Sequence, residues 1–490
     1  TDVICLPTLG DNRALTAVFR GAGYTCLENY SDQTYDLQAL VKTGRKAAGQ
    51  AVCTPLAALY SDLRNGVDEF ARRKQARDPE FANKRRLVLI DSQGSGPCRQ
   101  GQYPSLHRLL FKKSAPAERL DRSCNSMPGG TLFEFMLLEE NEGYRGGFPD
   151  WLMLRMYQGI ILKGVLQGIL FSAGASCRDY AEYRRFIADF RALEHEIYTL
   201  LEGFNGPGRF SQWLLTLLGR NSIPSIPVMY FAYRAHGREF IKPLKRFIAK
   251  WKAPEPRPGH RLNILITGEG YMRLAQAEEI FFILLREMGF RRFDLHVSPA
   301  MSYMEVILEE AEEAGRTELE VTQARQSRVG INNADTTRLR GVKRRIRMLR
   351  LFRGIWRNLL ARPLYRASEL EMPAPISRMI EASRELLPTY RPIGELAPYI
   401  GEALVELRQG TDVVLNVAPN GCMVSTMGEV LTPSIMHAQG VGPGRIQTLL
   451  SAEGDVDREA LTLAVLKATG PYRYYQMREK LSNDKTHISM

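Results

Sequence analysis

At 490 residues the chain holds roughly three compact units of about 150 residues each, enough to bury several substantial cores. With 44% hydrophobic and 24% charged residues, its composition excludes a disordered tail protein, a fibre and a small disulfide scaffold. The net charge of +12 falls to +1 once the eleven Lys and Arg residues between Arg338 and Arg366 are set aside, a segment with no Asp or Glu.

In chain order, Val3 to Leu6 is a first apolar strand. Val3 to Leu9 is too short, and too poor in preceding charge, for a signal sequence. Cys53 follows in the turn GQAVCTP at 49–55. Arg86 to Ile90 predicts a second strand, and the turn beyond it carries Cys98 in GPCRQGQY at 96–103. Residues 146–254 read as almost wholly helical, including Tyr180 to Phe204. The longest apolar run, Trp151 to Ala173, is interrupted by Arg155, Gln158, Lys163 and Gln167, so a buried helix is expected rather than a membrane span.

Lys252 to His260 has proline at every second position from Pro254 to Pro258 and reads as an extended linker. Strands are then expected at Leu262 to Thr267, Phe293 to Val297 and Asp412 to Val417, the last followed by Cys422 in APNGCMV at 418–424. This predicts α/β units with parallel sheets at 1–145 and 255–490, on either side of the helical section. The two units could be related, but no fixed repeat period is visible. Glu309 to Glu320 reads as an acidic helix with a solvated face. Between Arg338 and Arg366, Val342, Ile346, Leu349, Phe352, Trp356 and Leu359 or Leu360 recur at helical spacing, which predicts a basic amphipathic helix. Such a helix can meet an anionic membrane, nucleic acid or an acidic protein, or lie on its own domain.

Cysteines stand at 5, 26, 53, 98, 124, 177 and 422, and no CxxC pair exists, which removes local zinc ribbons and ferredoxin loops and favours a reducing, cytoplasmic setting. Cys5 falls in a strand and Cys177 in a helical context, while Cys26 and Cys124 read as surface or loop thiols. Cys53, Cys98 and Cys422 all lie in turns with a nearby proline, two of them just past an apolar strand. Ligand sites of parallel sheets lie beyond the strands' carboxyl ends, so these three thiols could converge on one cleft. Three thiolates on a [4Fe–4S] cluster would leave one iron open to a reacting molecule. The alternative is that they are small buried hydrophobes.

The motifs CTP at 53–55, GPCRQGQY at 96–103, GEGYMR at 268–273, GEA at 401–403 and PNGCM at 419–423, in this order, resemble the 2-hydroxyacyl-CoA dehydratase and benzoyl-CoA reductase superfamily. The resemblance covers most of the chain and is nearest to the branch of CoA-enzyme-activase-like and double-cubane-cluster proteins. It implies two Rossmann-like parallel-sheet domains with a helical part, and Cys53, Cys98 and Cys422 as ligands of an iron–sulfur cluster. A single [4Fe–4S] cubane is expected over a double-cubane [8Fe–9S] centre, which needs six thiolates. The branch usually has a glutamate directly before the first cysteine, where this chain has Val52.

The implied partner is an ATP-dependent activator with its own cluster. This chain has no phosphate-binding GxxxxGK[ST] loop, so it is expected to receive the low-potential electron rather than generate it. The substrate would be an acyl-CoA that loses water or a small or aromatic acceptor that is reduced, and a homo- or hetero-oligomer is expected. The helix at 338–366 is a candidate docking surface. Arg99 and Gln102 could donate to cluster sulfides or substrate, and Glu269 could handle substrate protons or pair with Arg273. His107 follows the Cys98 turn closely enough to donate a proton. The competing readings are a non-catalytic electron-relay or assembly subunit, and a membrane- or nucleic-acid-binding protein led by the basic helix.

Overall fold

The computed structural model describes residues 2–7, 12–27, 36–50, 52–94, 98–114, 118–119, 125–127, 131–139, 148, 150–203, 213, 225–251, 262–268, 282, 285, 293–329, 333–387, 395–442, 444–451 and 458–469. Two Rossmann-like α/β units each contain four parallel strands. The first sheet is built from β1 (Val3–Cys5), β2 (Thr25–Leu27), β3 (Leu87–Gln93) and β6 (Thr131–Glu139) in the order β2-β1-β3-β6. It is extended by two short antiparallel strands, β5 (Asn125–Met127) and β4 (Glu118–Arg119). The second sheet comprises β7 (Leu262–Gly268), β8 (Phe293–Val297), β9 (Val413–Pro419) and β10 (Ile446–Ser451), in the order β10-β9-β7-β8.

Number the four parallel strands of each sheet by their place in the chain, and both sheets read second-first-third-fourth. The first strand of each unit is therefore central, with its successor on one side and the third strand on the other. That reversal creates a crevice between the carboxyl ends of the first and third strands, the place where ligands enter such folds. The expected strands at 3–6, 86–90, 262–267, 293–297 and 412–417 correspond to β1, β3, β7, β8 and β9 within two residues at each end, except that β3 runs three residues further, to Gln93. The expected linker at 252–260, Cys124, Glu269 and Arg273 lie outside the described residues.

Helices α1 (Arg13–Gly21), α2 (Leu37–Ala48), α3 (Thr54–Gln75) and α4 (Tyr103–Ser114) belong to the first unit. The central section supplies α5 (Asp150–Ala175), α6 (Tyr180–Glu202) and α7 (Ser225–Trp251). By length and composition α5 could cross a membrane, but 67% of its most apolar window is buried inside the protein. It packs on α1 of the first unit and on β8 of the second. Arg155 is buried in it because its guanidinium donates to Gln158 and to the carbonyls of Leu200 and Leu201 at the end of α6, where the helix dipole favours a cation. One apolar core thus runs from Ile4 through Ile161 and Phe186 to Ile264 and Val413.

The second unit adds α8 (Ala300–Val329), α9 (Asn333–Ile355), a π turn at Trp356–Ala361, α10 (Arg362–Ala367), α11 (Ile376–Ser383), α12 (Leu396–Arg408), α13 (Met423–Gln439) and α14 (Arg458–Thr469). Pro363 has no N–H to give the preceding turn, which accounts for the wide turn directly before it. The expected apolar stripe runs along α9 and the π turn, with Val342, Ile346, Trp356 and Leu360 buried, whereas Leu359 is exposed.

Two expectations are corrected. The acidic stretch is not a solvated face: Glu309 and Glu312 are buried because α8 turns them toward the arginines of α9. Cys26 is no surface thiol but an inward residue of β2, 2% exposed.

Candidate functional site

Cys53, Cys98 and Cys422 occupy one kind of place. Each is the N-cap of a helical segment, in extended backbone of nearly the same shape: φ −66°, ψ 147° at Cys53; φ −65°, ψ 134° at Cys98; φ −69°, ψ 119° at Cys422. Extended geometry at the cap lets the next residues turn into a helix while the cap side chain stays beside its free N–H groups. Cys98 Sγ accepts from Gln100 N at 3.4 Å. A helix start favours negative charge, so these positions suit thiols that serve as anionic ligands. Cys98 lies beyond the carboxyl end of β3 and Cys422 beyond that of β9, the equivalent strands of the two sheets.

The surroundings of Cys53 and Cys98 are joined. Arg99–Gln102 is a 3-10 turn that runs into α4, and Tyr103 at its end places its hydroxyl 3.0 Å from Cys53 Sγ. Gln93 Nε2 donates to Gly101 O at 3.1 Å, and Gln100 Nε2 to Ser92 Oγ at 3.1 Å, which ties the turn to the end of β3. Gln102, the glutamine singled out in the sequence, is exposed, and the side chain of Arg99 lies outside the described set.

His107 is fully buried, with Nδ1 2.9 Å from Asp91 Oδ2 and Nε2 3.4 Å from Leu56 O. It therefore clamps the first turn of α3, which Cys53 caps, to the strand that leads to Cys98. On the other side Arg45 donates to Thr54 Oγ1 at 3.0 Å. Sequence reasoning passed over Asp91, although an acid at the end of an apolar strand is a readable signal.

Cys422 is half-buried on the wall of an open cleft. Thr267 and Gly268 reach it from β7, Asn416 from β9, Val424 and Ser425 from α13. Glu395, Tyr399 and Glu402 line it from α12, and Ser298, Ser302 and Val306 from the junction of β8 and α8. This is the crevice between first and third strands of the second sheet. Gly268 sits at φ 103°, and any side chain there would fall onto Val417 O and Asn416 Oδ1.

Thr267 Oγ1 donates to Glu402 Oε2 at 2.7 Å. Burial, reinforced by the charge of Glu402, raises the Glu406 carboxyl one turn away above its ordinary value. Burial pushes the Tyr399 hydroxyl up to about 12. Asn416 is 1% exposed; its Nδ2 donates to Thr448 Oγ1 at 3.4 Å and its Oδ1 has no partner among the described residues. A lone asparagine in an otherwise apolar central strand was the sequence signal for this cleft.

The structure thus brings Cys53 together with the Cys98 turn, while Cys422 faces the second unit's own cleft. Among the described residues no three His, Cys, Asp or Glu side chains meet where a single metal ion could sit. Comparison with family models, with curated proteins and with solved structures found no match to this chain.

Proposed function

We propose that this chain is an iron–sulfur redox protein that accepts low-potential electrons and spends them on a small molecule held in the second unit's cleft. One observation carries the reading: cysteines from three distant segments cap helices in the same backbone shape, two of them at equivalent points of two sheets with one topology. The donor chemistry fits, since thiols suit iron–sulfur centres rather than hard cations, and a cluster spans several atoms, so its ligands need not meet at one point. Cys53, Cys98 and Cys422 would hold the centre, whose chemistry is one-electron transfer.

The chain's own residues set the surroundings. The Tyr103 hydroxyl lies 3.0 Å from the Cys53 sulfur, where it would donate to a ligating thiolate and temper its charge. Asp91 and His107 hold α3, β3 and α4 in register. Seven thinly spread cysteines with no CxxC pair are the sequence feature that favours a reducing, cytoplasmic setting. The partner is an ATP-dependent activator, for which the outward face of α9 offers a cationic landing area.

Anaerobic reconstitution with iron and sulfide tests this. The expected product is a brown protein with about four irons per chain and a paramagnetic signal on reduction. Cys53→Ser, Cys98→Ser and Cys422→Ser should each lower iron retention, and equal retention by the triple variant would sink the proposal.

A further inference from the structure

Arg45 is a cation in an odd place. Gly44, the residue before it, meets the carbonyl of Ala57 so closely that a side chain there would overlap it, and this contact sets the last turn of α2 against the first turn of α3. Arg45 therefore reaches across and donates to Thr54 Oγ1 at 3.0 Å, next to Cys53 in sequence. The start of a 22-residue helix carries positive partial charge, which disfavours a guanidinium. No carboxylate offsets it: Arg45 is half-buried, forms no ion pair among the described residues and keeps a buried Nε without a partner there. The last turn of α2, where Arg45 is rooted, favours a cation but supplies no full counter-charge. A partly desolvated cation calls for an anion close by. The Cys53 sulfur, once it ligates a metal centre, is such an anion, and the Tyr103 hydroxyl 3.0 Å from it is a second group suited to that charge.

We infer that Arg45 sets the reduction potential of the iron–sulfur centre from the Cys53 side, its guanidinium offsetting the charge of the ligating sulfur. Uptake of one electron from the activator adds one negative charge, with no bond formed or broken, and that charge falls in the field of Arg45. A cation so placed stabilises the reduced form and raises the potential. The inference deepens the proposed function and rests on its assignment of Cys53 as a ligand.

A mediated redox titration of the reconstituted full chain, followed by paramagnetic resonance, tests it. Arg45→Gln and Arg45→Met should each lower the equilibrium constant for reduction about tenfold, a shift of about 59 mV to more negative potential for a one-electron couple. Arg45→Lys, which keeps the charge, should stay near the unaltered value. So should Lys42→Gln, which removes an exposed cation from the same helix. The Met variant keeps an apolar stem against α3 should the Gln variant pack poorly, and thermal unfolding of iron-free protein checks that each one folds. A merely structural Arg45 would lower Tm in the Gln and Met variants and leave the potential where it was. That outcome, or an equal shift from Lys42→Gln, overturns the inference while the redox reading stands. A chain that takes up no iron overturns both.

Discussion

Glu406 shows how one side chain can weaken the fold it belongs to. It follows Glu402 by one turn of α12, and burial together with that neighbouring charge holds its carboxyl above the ordinary value, although Thr411 Oγ1 donates to it at 3.1 Å. A carboxyl raised on folding costs nothing while both folded and unfolded chains keep it protonated. The penalty grows as pH rises past the unfolded value toward the folded one. Glu406→Gln should therefore raise Tm at about pH 8 and change little at about pH 4, near the unfolded carboxyl value; thermal unfolding at the two pH values checks the sign. His107 poses the opposite case, since its ring meets an acceptor on each side. His107→Leu strands the buried Asp91 carboxylate and should cost roughly 3 kcal/mol by urea unfolding. The deletion pair His107→Leu with Asp91→Leu should recover part of that loss.

The hairpin of α8 and α9 divides the basic segment in two. On the inward side Arg338 pairs with Glu318, Arg350 and Arg353 with Glu312, and Arg357 with Glu305. On the outward side Arg340, Lys343, Arg344, Arg345 and Arg347 are exposed and make no ion pair among the described residues. The inner pairs differ in weight. Glu312 is 1% exposed and accepts from Arg316, Arg350 and Arg353, so Glu312→Gln removes the buried carboxylate that all three share and should cost about 2 kcal/mol, Arg316 and Arg353 keeping Glu313 and Glu309. Arg338 and Glu318 are open to water, and Arg338→Gln should cost about 0.5 kcal/mol or less in the same unfolding measurement. Helical spacing made the apolar stripe of α9 legible, with Val342, Ile346 and Trp356 inward. It said nothing of α8 lying alongside, so the acidic run looked like a solvated face. Charge patterns within one helix do not reveal a neighbouring helix.

At the scale of the molecule, the strands that could be read were the long runs of Val, Ile and Leu, because strands covered on both faces are apolar throughout. Three-residue β2 and the mixed runs of β6 and β10 lack either period, and were missed. The shared strand order of the two units was out of reach for the same reason. Cys53, Cys98 and Cys422 stood out by their turns, whereas Thr267, Glu402 and Asn416 share a cleft only after 149 residues of chain have folded back onto β7. Changing the five outward cations of α9 to Gln should leave Tm unaltered, since none serves the fold, yet under the proposed redox function it should slow electron uptake from an ATP-dependent activator by about tenfold or more at low salt. The difference should shrink as ionic strength rises, and a stopped-flow salt series reads it. A last consequence concerns α5, the 26-residue apolar helix set between α1 and β8. During synthesis it leaves the ribosome well before the strand that covers its far side exists, so half of a greasy surface must wait for more than a hundred residues of translation. Chains that stall in that interval, or that are cut after residue 251, should clump or recruit chaperones, and this makes the order of emergence a hazard the finished molecule no longer displays.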